Sequence, residues 1–102
     1  MGETAEIAAH RPRVTIDYCT QCNWMLRAAW LAQELLSTFG SDLAEVALRP
    51  GTGGVFRIMC EEHVVWDRAV DGGFPEAKIL KRRVRDVVDP ERSLGHSDRE
   101  SS

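Results

Sequence analysis

Val14 and Ile16 alternate with Thr15 and Asp17, a period-two pattern that predicts a short strand beginning at Arg13 with one buried face. From Trp24 the period lengthens. Trp24, Ala28, Leu31, Leu35 and Phe39 recur at spacings of three and four, and Met25, Ala29, Ala32 and Leu36 widen the stripe. This is the signature of an amphipathic helix, and Gly40 stands where such a helix ends. Gly40-Ser41-Asp42 reads as a turn, and Leu43 to Leu48 as a second strand stopped by Pro50-Gly51. After a Gly51-Thr52-Gly53-Gly54 loop, Val55 to Cys60 is a third strand. Glu61-Glu62 leaves room only for a tight reversal, so His63 to Arg68 is a fourth strand, antiparallel to the third. Asp71 to Pro75 has loop composition. Glu76 to Val88 then carries a second apolar stripe of Ala77, Leu80, Val84 and Val87 or Val88, and Asp89-Pro90 ends it.

A strand, a crossover helix and a second strand in so short a space imply parallel pairing with a right-handed connection. The whole order is β-α-β-β-β-α, a βαβ unit followed by a ββα unit. It predicts an α/β, thioredoxin-like fold with a four-stranded mixed sheet in the order two-one-three-four. Residues 1–12 are expected to be a disordered leader, 13–88 the thioredoxin-like domain and 89–102 a polar C-terminal tail.

Composition narrows the class. The chain has 102 residues, 43% hydrophobic and 28% charged, which suits one ordinary globular domain. A net charge of −3 argues against nucleic acid as the main partner. Arg27, Gln33 and Glu34 interrupt the longest apolar helix, so no membrane span is expected. Met1 to Arg13 contains acidic residues and no apolar block, so neither a signal peptide nor export is expected, and the expected location is cytoplasmic. Three cysteines, an odd number in a reducing compartment, suit redox chemistry better than a disulfide framework.

Cys19-Thr20-Gln21-Cys22 occupies the handover from the first strand to the first helix. Amides of a helix's first turn stabilise a thiolate, and the thiolate is the nucleophile of thiol–disulfide exchange. With a helix beginning at or just after Cys19, at least one thiol should titrate moderately below the free value of about 8.5, mainly through those amides. Arg27 is the nearest cation in sequence. The bland readings are half of a zinc site or two incidental thiols. Cys60-x-x-His63 offers the other half of a zinc set, but strand direction places Cys60 on the order of 20 Å from Cys19. Cys19 and Cys22 are therefore expected to form a reversible disulfide that excludes Cys60. The glycine loop lacks the Lys-Ser/Thr of a phosphate cradle. Trp24 and Trp30 read first as core or partly covered residues, with Trp24 the better functional candidate. Phe74 reads as an anchor for its loop or as a contact beside the thiols. Lys78, Lys81, Arg82, Arg83 and Arg85 read as a solvated basic face.

Tyr18-Cys-Thr-Gln-Cys-Asn-Trp24, Gly54-Val-Phe-Arg-Ile58, Trp66-Asp67-Arg68 and Asp71-Gly-Gly-Phe-Pro-Glu76 together resemble the selenoprotein W-like family, in its bacterial, all-cysteine branch. The resemblance spans roughly residues 13–88. It implies a thioredoxin-like fold and thiol-based redox chemistry, with Cys22 at the position that selenocysteine takes in selenium-containing members. Arg57 departs from the family's Gly-x-Phe-Glu-Ile pattern. Generic thioredoxin logic makes Cys19 the attacker and the resemblance favours Cys22; the sequence reading leans to Cys19. The expected function is a thiol–disulfide oxidoreductase with catalytic Cys19 and Cys22. Thr20, Gln21, Trp24, Thr52 and Phe74 are the expected substrate- or partner-binding residues. A redox-switched binding module and a zinc domain are the alternatives. No cofactor or metal is expected. The expected partners are protein thiols or glutathione, with neither nucleic acid nor membrane, and a homo-oligomer is left open.

Overall fold

The computed structural model describes residues Arg11 to Gly95. Its elements are β1 (Arg13–Cys19), α1 (Met25–Phe39), a 3-10 turn (Gly40–Asp42), β2 (Glu45–Gly51), β3 (Phe56–Cys60), β4 (His63–Asp67), a short α2 (Arg68–Asp71) and α3 (Ala77–Val88). The sheet order is β2-β1-β3-β4. β1 runs parallel to β2 and antiparallel to β3, and β3 runs antiparallel to β4. This is the expected thioredoxin-like arrangement with the first strand inside the sheet. β2 is an edge strand and extends through Pro50 to Gly51 rather than stopping at Leu48. An edge position tolerates a residue without an N–H.

Val14 and Ile16 on β1 and Phe56, Ile58 and Cys60 on β3 form one buried face. Their register brings Val14 opposite Cys60 and Ile16 opposite Ile58. Against this face α1 packs Ala28, Leu31, Leu35 and Phe39, and α3 packs Leu80 and Val84. The stripe on α1 is narrower than the sequence suggests. Met25 and Leu36 are each 44% exposed and Trp30 is 50% exposed. α1 and α3 both pack on this side, and these three side chains lie off the stripe that reaches the sheet.

The opposite face carries charge. Asp17 stands between Arg49 and Arg57 in register, and Arg57 stands opposite Asp67. Arg49 binds Asp17 at 2.7 Å and Arg57 binds Asp67 at 3.3 Å. The result is a row of alternating sign across four strands, in which a carboxylate at position 57 would face acidic neighbours on both sides. Arg57 therefore has a structural explanation here.

A register shift between Ile58 and Met59 makes Val65 an extra residue on β4. Consecutive residues Val65 and Trp66 are consequently both buried. Arg83 on α3 donates to the Val65 carbonyl at 3.0 Å, pairs with Asp71 at 3.0 Å and lies 4.7 Å from the Trp66 ring centroid. Lys81 pairs with Glu34 of α1 at 2.9 Å. The basic face of α3 is thus not simply solvated: part of it ties the helix to β4 and α1. α2 takes Arg68, expected as the last residue of the fourth strand, and Asp71, expected to open the loop, and is capped by the Asp67 carboxylate accepting from the Ala69 amide at 3.0 Å.

The ends of the domain are drawn in. Pro12 accepts a bond from the Ala44 amide at 2.8 Å, so the last part of the expected leader is held; residues 1–10 lie outside the described residues. Of the segment expected as a polar tail from residue 89, Leu94 packs on the core, and residues 96–102 lie outside the described residues. Within it Arg92 pairs with Asp42, donates to the Thr38 carbonyl at 2.9 Å and covers the Phe39 ring.

Leu35 is fully buried against the sheet, whereas Leu26 is 75% exposed on the same helix. Leu35→Ala should cost about 2–5 kcal/mol in denaturant unfolding. Leu26→Ala should stay within about 0.5 kcal/mol. Equal effects at the two positions would mean that α1 presents a different face to the core.

Candidate redox site

The parallel register ends with Cys19 opposite Gly51, so the end of β1 and the end of β2 meet. The turn after β1 is tied to that point. Thr20 donates to the Gly51 carbonyl from its amide at 3.0 Å and from its hydroxyl at 3.1 Å. The Asn23 amide donates to the Thr20 carbonyl at 3.1 Å, and the Trp24 amide to the Cys19 carbonyl at 3.4 Å. Asn23 has φ +61°, a left-handed conformation that asparagine accepts more readily than bulkier residues. It redirects the chain into α1, which begins at Met25 with no acidic residue and no side-chain cap in its first turn.

The cysteines therefore precede the helix rather than lying in its first turn. Cys19 is fully buried, and Cys22 is half-buried. The Cys22 thiol donates to the Cys19 sulfur, and this bond, more than any other influence, lowers the pKa of Cys19. Burial opposes it, and the backbone amides of Gly54, Cys22 and Gln21 assist it. The proton on Cys22 is held correspondingly tightly: bonding to Cys19, then burial, raise its pKa, while Gly54 and the positive charge of Arg68 act in the other direction. Thiolate stabilisation thus comes from the neighbouring thiol and loop amides, not mainly from the helix, and the nearby cation acting on Cys22 is Arg68 rather than Arg27.

Aromatic rings form one wall. Trp24 meets Phe74 edge-on at 4.9 Å and Phe56 at 6.3 Å, and Phe56 meets Phe74 at 5.0 Å. Phe74 is an anchor, and its contact with Trp24 brings the Gly-rich loop to the cysteine end of the sheet. Trp30 lies apart from this cluster, half exposed. Thr20 and Gln21 are exposed on the turn, and Thr52 is exposed immediately after Gly51. The residues singled out from sequence thus gather at one end of the fold, by contact or by loop position.

Sequence reasoning missed Gly54, Asn23 and Arg68. Gly54 acts through its backbone amide, and its φ of +75° suits glycine. The Gly51-Thr52-Gly53-Gly54 run is the sequence signal for such a loop. Arg68 lies inside Trp66-Asp67-Arg68, but nothing local indicates where its side chain goes.

Cys60 is elsewhere. Opposite Val14, it is five residues along β1 from Cys19, roughly 16 Å. Burial pushes its pKa up to about 11. The two halves of the Cys/His set lie at opposite ends of β1, too far apart to close on one zinc ion. Among the described residues, no group of three or more His, Cys, Asp or Glu could hold a metal ion, and no helix is long and apolar enough to cross a membrane.

The Rdx family profile matches residues 13–86. A crystal structure of a protein from Bordetella parapertussis is 73% identical, with a TM-score of 0.75 over 76% of this chain and 99% of that one. A crystal structure of a selenoprotein W-related protein from Vibrio cholerae is 57% identical, with a TM-score of 0.76 over 78% of this chain and 99% of that one. No curated protein matches the chain.

The hydrogen bond between the thiols makes opposite predictions for the two single variants. Cys22→Ala removes the donor, so Cys19 should titrate higher than the first step of the wild-type pair. Cys19→Ala removes the negative neighbour, so Cys22 should titrate lower than the second step. Thiolate absorbance against pH measures both. Shifts in the same direction would show that the pair does not share a proton in this way.

Proposed function

Because the chain belongs to the Rdx family, the selenoprotein W-like group of thioredoxin-like redox proteins, we propose that it is a thiol–disulfide oxidoreductase in which Cys22 attacks and Cys19 resolves. The observation that carries this reading is the contrast in access: Cys19 is fully buried and Cys22 is not. A sulfur in an external disulfide can approach Cys22 alone. This reverses the leaning towards Cys19 that generic thioredoxin logic supplies.

The Cys22 sulfur attacks one sulfur of the substrate disulfide, and that S–S bond breaks as a Cys22–substrate bond forms. As attack develops, the Cys22 proton passes to the Cys19 thiolate that already accepts it. The departing thiolate takes a proton from solvent. Cys19 then gives its proton back to solvent, a step the backbone amides of Gly54, Cys22 and Gln21 assist, and attacks the Cys22 sulfur. The second substrate thiolate leaves and is protonated. The substrate gains two electrons and two protons, and the protein keeps a Cys19–Cys22 disulfide. A thiol reductant, from a protein or glutathione, would restore the dithiol by the same exchange in reverse.

Cys19→Ser should accumulate a mixed disulfide on Cys22 when mixed with a small neutral disulfide, whereas Cys22→Ser should accumulate none. In oxidised wild type, mass mapping should find Cys19 linked to Cys22 and Cys60 free. An adduct on Cys19 in the Cys22→Ser variant would overturn the assignment of roles. A disulfide that forms without turnover under any thiol reductant would support a redox-switched binding module instead.

A further inference from the structure

Arg13, Arg49, Arg57, Arg83 and Arg92 each pair with a carboxylate. Arg27 and Arg68 differ. Among the described residues neither meets a carboxylate, and each lies over an aromatic ring. The Arg27 guanidinium carbon is 4.2 Å from the Phe74 ring centroid. That of Arg68 is 4.9 Å from the Trp24 centroid and 5.6 Å from the Phe74 centroid. One ring thus gathers two exposed cations beside the thiols, Trp24 being two residues from Cys22.

A ring face holds a guanidinium in place but neither accepts its N–H groups in plane nor neutralises its charge. Both forks retain their capacity for carboxylate oxygens. Two like charges beside one ring, neither with a carboxylate partner among the described residues, also favour an incoming anion. The surroundings suit a polypeptide more than a small thiol. Leu26 precedes Arg27 and is 75% exposed, and Val70, close to Arg68 on α2, is 81% exposed. Two separate elements therefore each carry an exposed apolar residue and an arginine without a carboxylate partner among the described residues.

We propose that Arg27 and Arg68 are the specificity element of this redox site and recognise a polypeptide disulfide whose cysteine is flanked by acidic side chains. The inference rests on the oxidoreductase reading above and adds the substrate class to it. The chemistry is unchanged: the peptide disulfide gains two electrons and two protons to become two thiols, and Cys19 and Cys22 become a disulfide. The arginines orient and concentrate the substrate without entering the exchange.

The test uses pre-reduced full-length protein in single turnover, with released peptide thiol quantified by chromatography. The substrates are peptide disulfides of one sequence with Asp/Glu, Asn/Gln or Lys flanks, plus hydroxyethyl disulfide. The acidic peptide should react about tenfold faster than the neutral one at low salt, and the ratio should shrink as salt screens the contact. Arg27→Gln with Arg68→Gln should bring the ratio close to one, and the paired Lys variants should keep most of it. The paired Glu variants should reverse the preference towards the Lys-flanked peptide. An arginine pair that only braces the rings would leave these ratios unmoved. Equal wild-type rates on acidic and neutral peptides, or a preference that survives the Gln pair, would overturn the proposal. If hydroxyethyl disulfide reacts while no charge preference exists, only the specificity assignment falls. If no disulfide reacts, the oxidoreductase reading falls and this inference with it.

Discussion

The hydrogen bonding of β1 along both of its edges fixes where the chemistry of this protein can sit. On one side the parallel register with β2 brings Gly51 beside Cys19. On the other, the antiparallel register with β3 brings Phe56 beside Tyr18. The loop from β2 to β3 must therefore return over the end of β1, where it delivers the Gly54 amide to the cysteine sulfurs. The next reversal sends β4 back to the same end, and the chain leaves it through Arg68 and the loop that carries Phe74. Each component of the site arrives by strand direction. The end of a strand inside an open α/β sheet is where such convergence is expected.

That frame also separates the roles of the three cysteines. Cys60 enters the sheet at the opposite end, buried in the core cluster, where its thiol is held protonated. Cys19 is equally buried but has hydrogen-bond donors at its sulfur, and Cys22 lies at the surface above it. Burial alone raises the pKa of a thiol, as at Cys60; the donors at Cys19 reverse that direction. The sheet's two faces are similarly divided. One is apolar and covered by α1 and α3, and the other carries the Arg49–Asp17–Arg57–Asp67 row in place of a second helical layer.

Much of this is legible in the sequence. Period-two alternation at Val14 to Asp17 and period-3.6 spacing from Ala28 to Phe39 follow from backbone geometry, so they specify element type and buried face locally. The brevity of Glu61-Glu62 and the length of the first crossover then dictate antiparallel and parallel pairing, which yields the sheet order. The position of Cys19-x-x-Cys22 at a strand end follows from the same pattern.

What only the tertiary structure decided depends on contacts between residues distant in sequence. The bulge at Val65 follows from how β4 meets β3 and how Arg83 captures a freed carbonyl, neither of which has a period. The start of α1 at Met25 depends on the left-handed Asn23 and on the Thr20 bonds to Gly51, and it moves the source of thiolate stabilisation from helix to loop. The relative access of Cys19 and Cys22 reverses the generic expectation because a turn and a distant loop enclose the first sulfur. Arg27 and Arg68 are far apart in the chain, and one loop places the Phe74 ring beside both. Local pattern determines which elements form and which faces are apolar; the identity of a side chain's neighbours is a property of the folded whole.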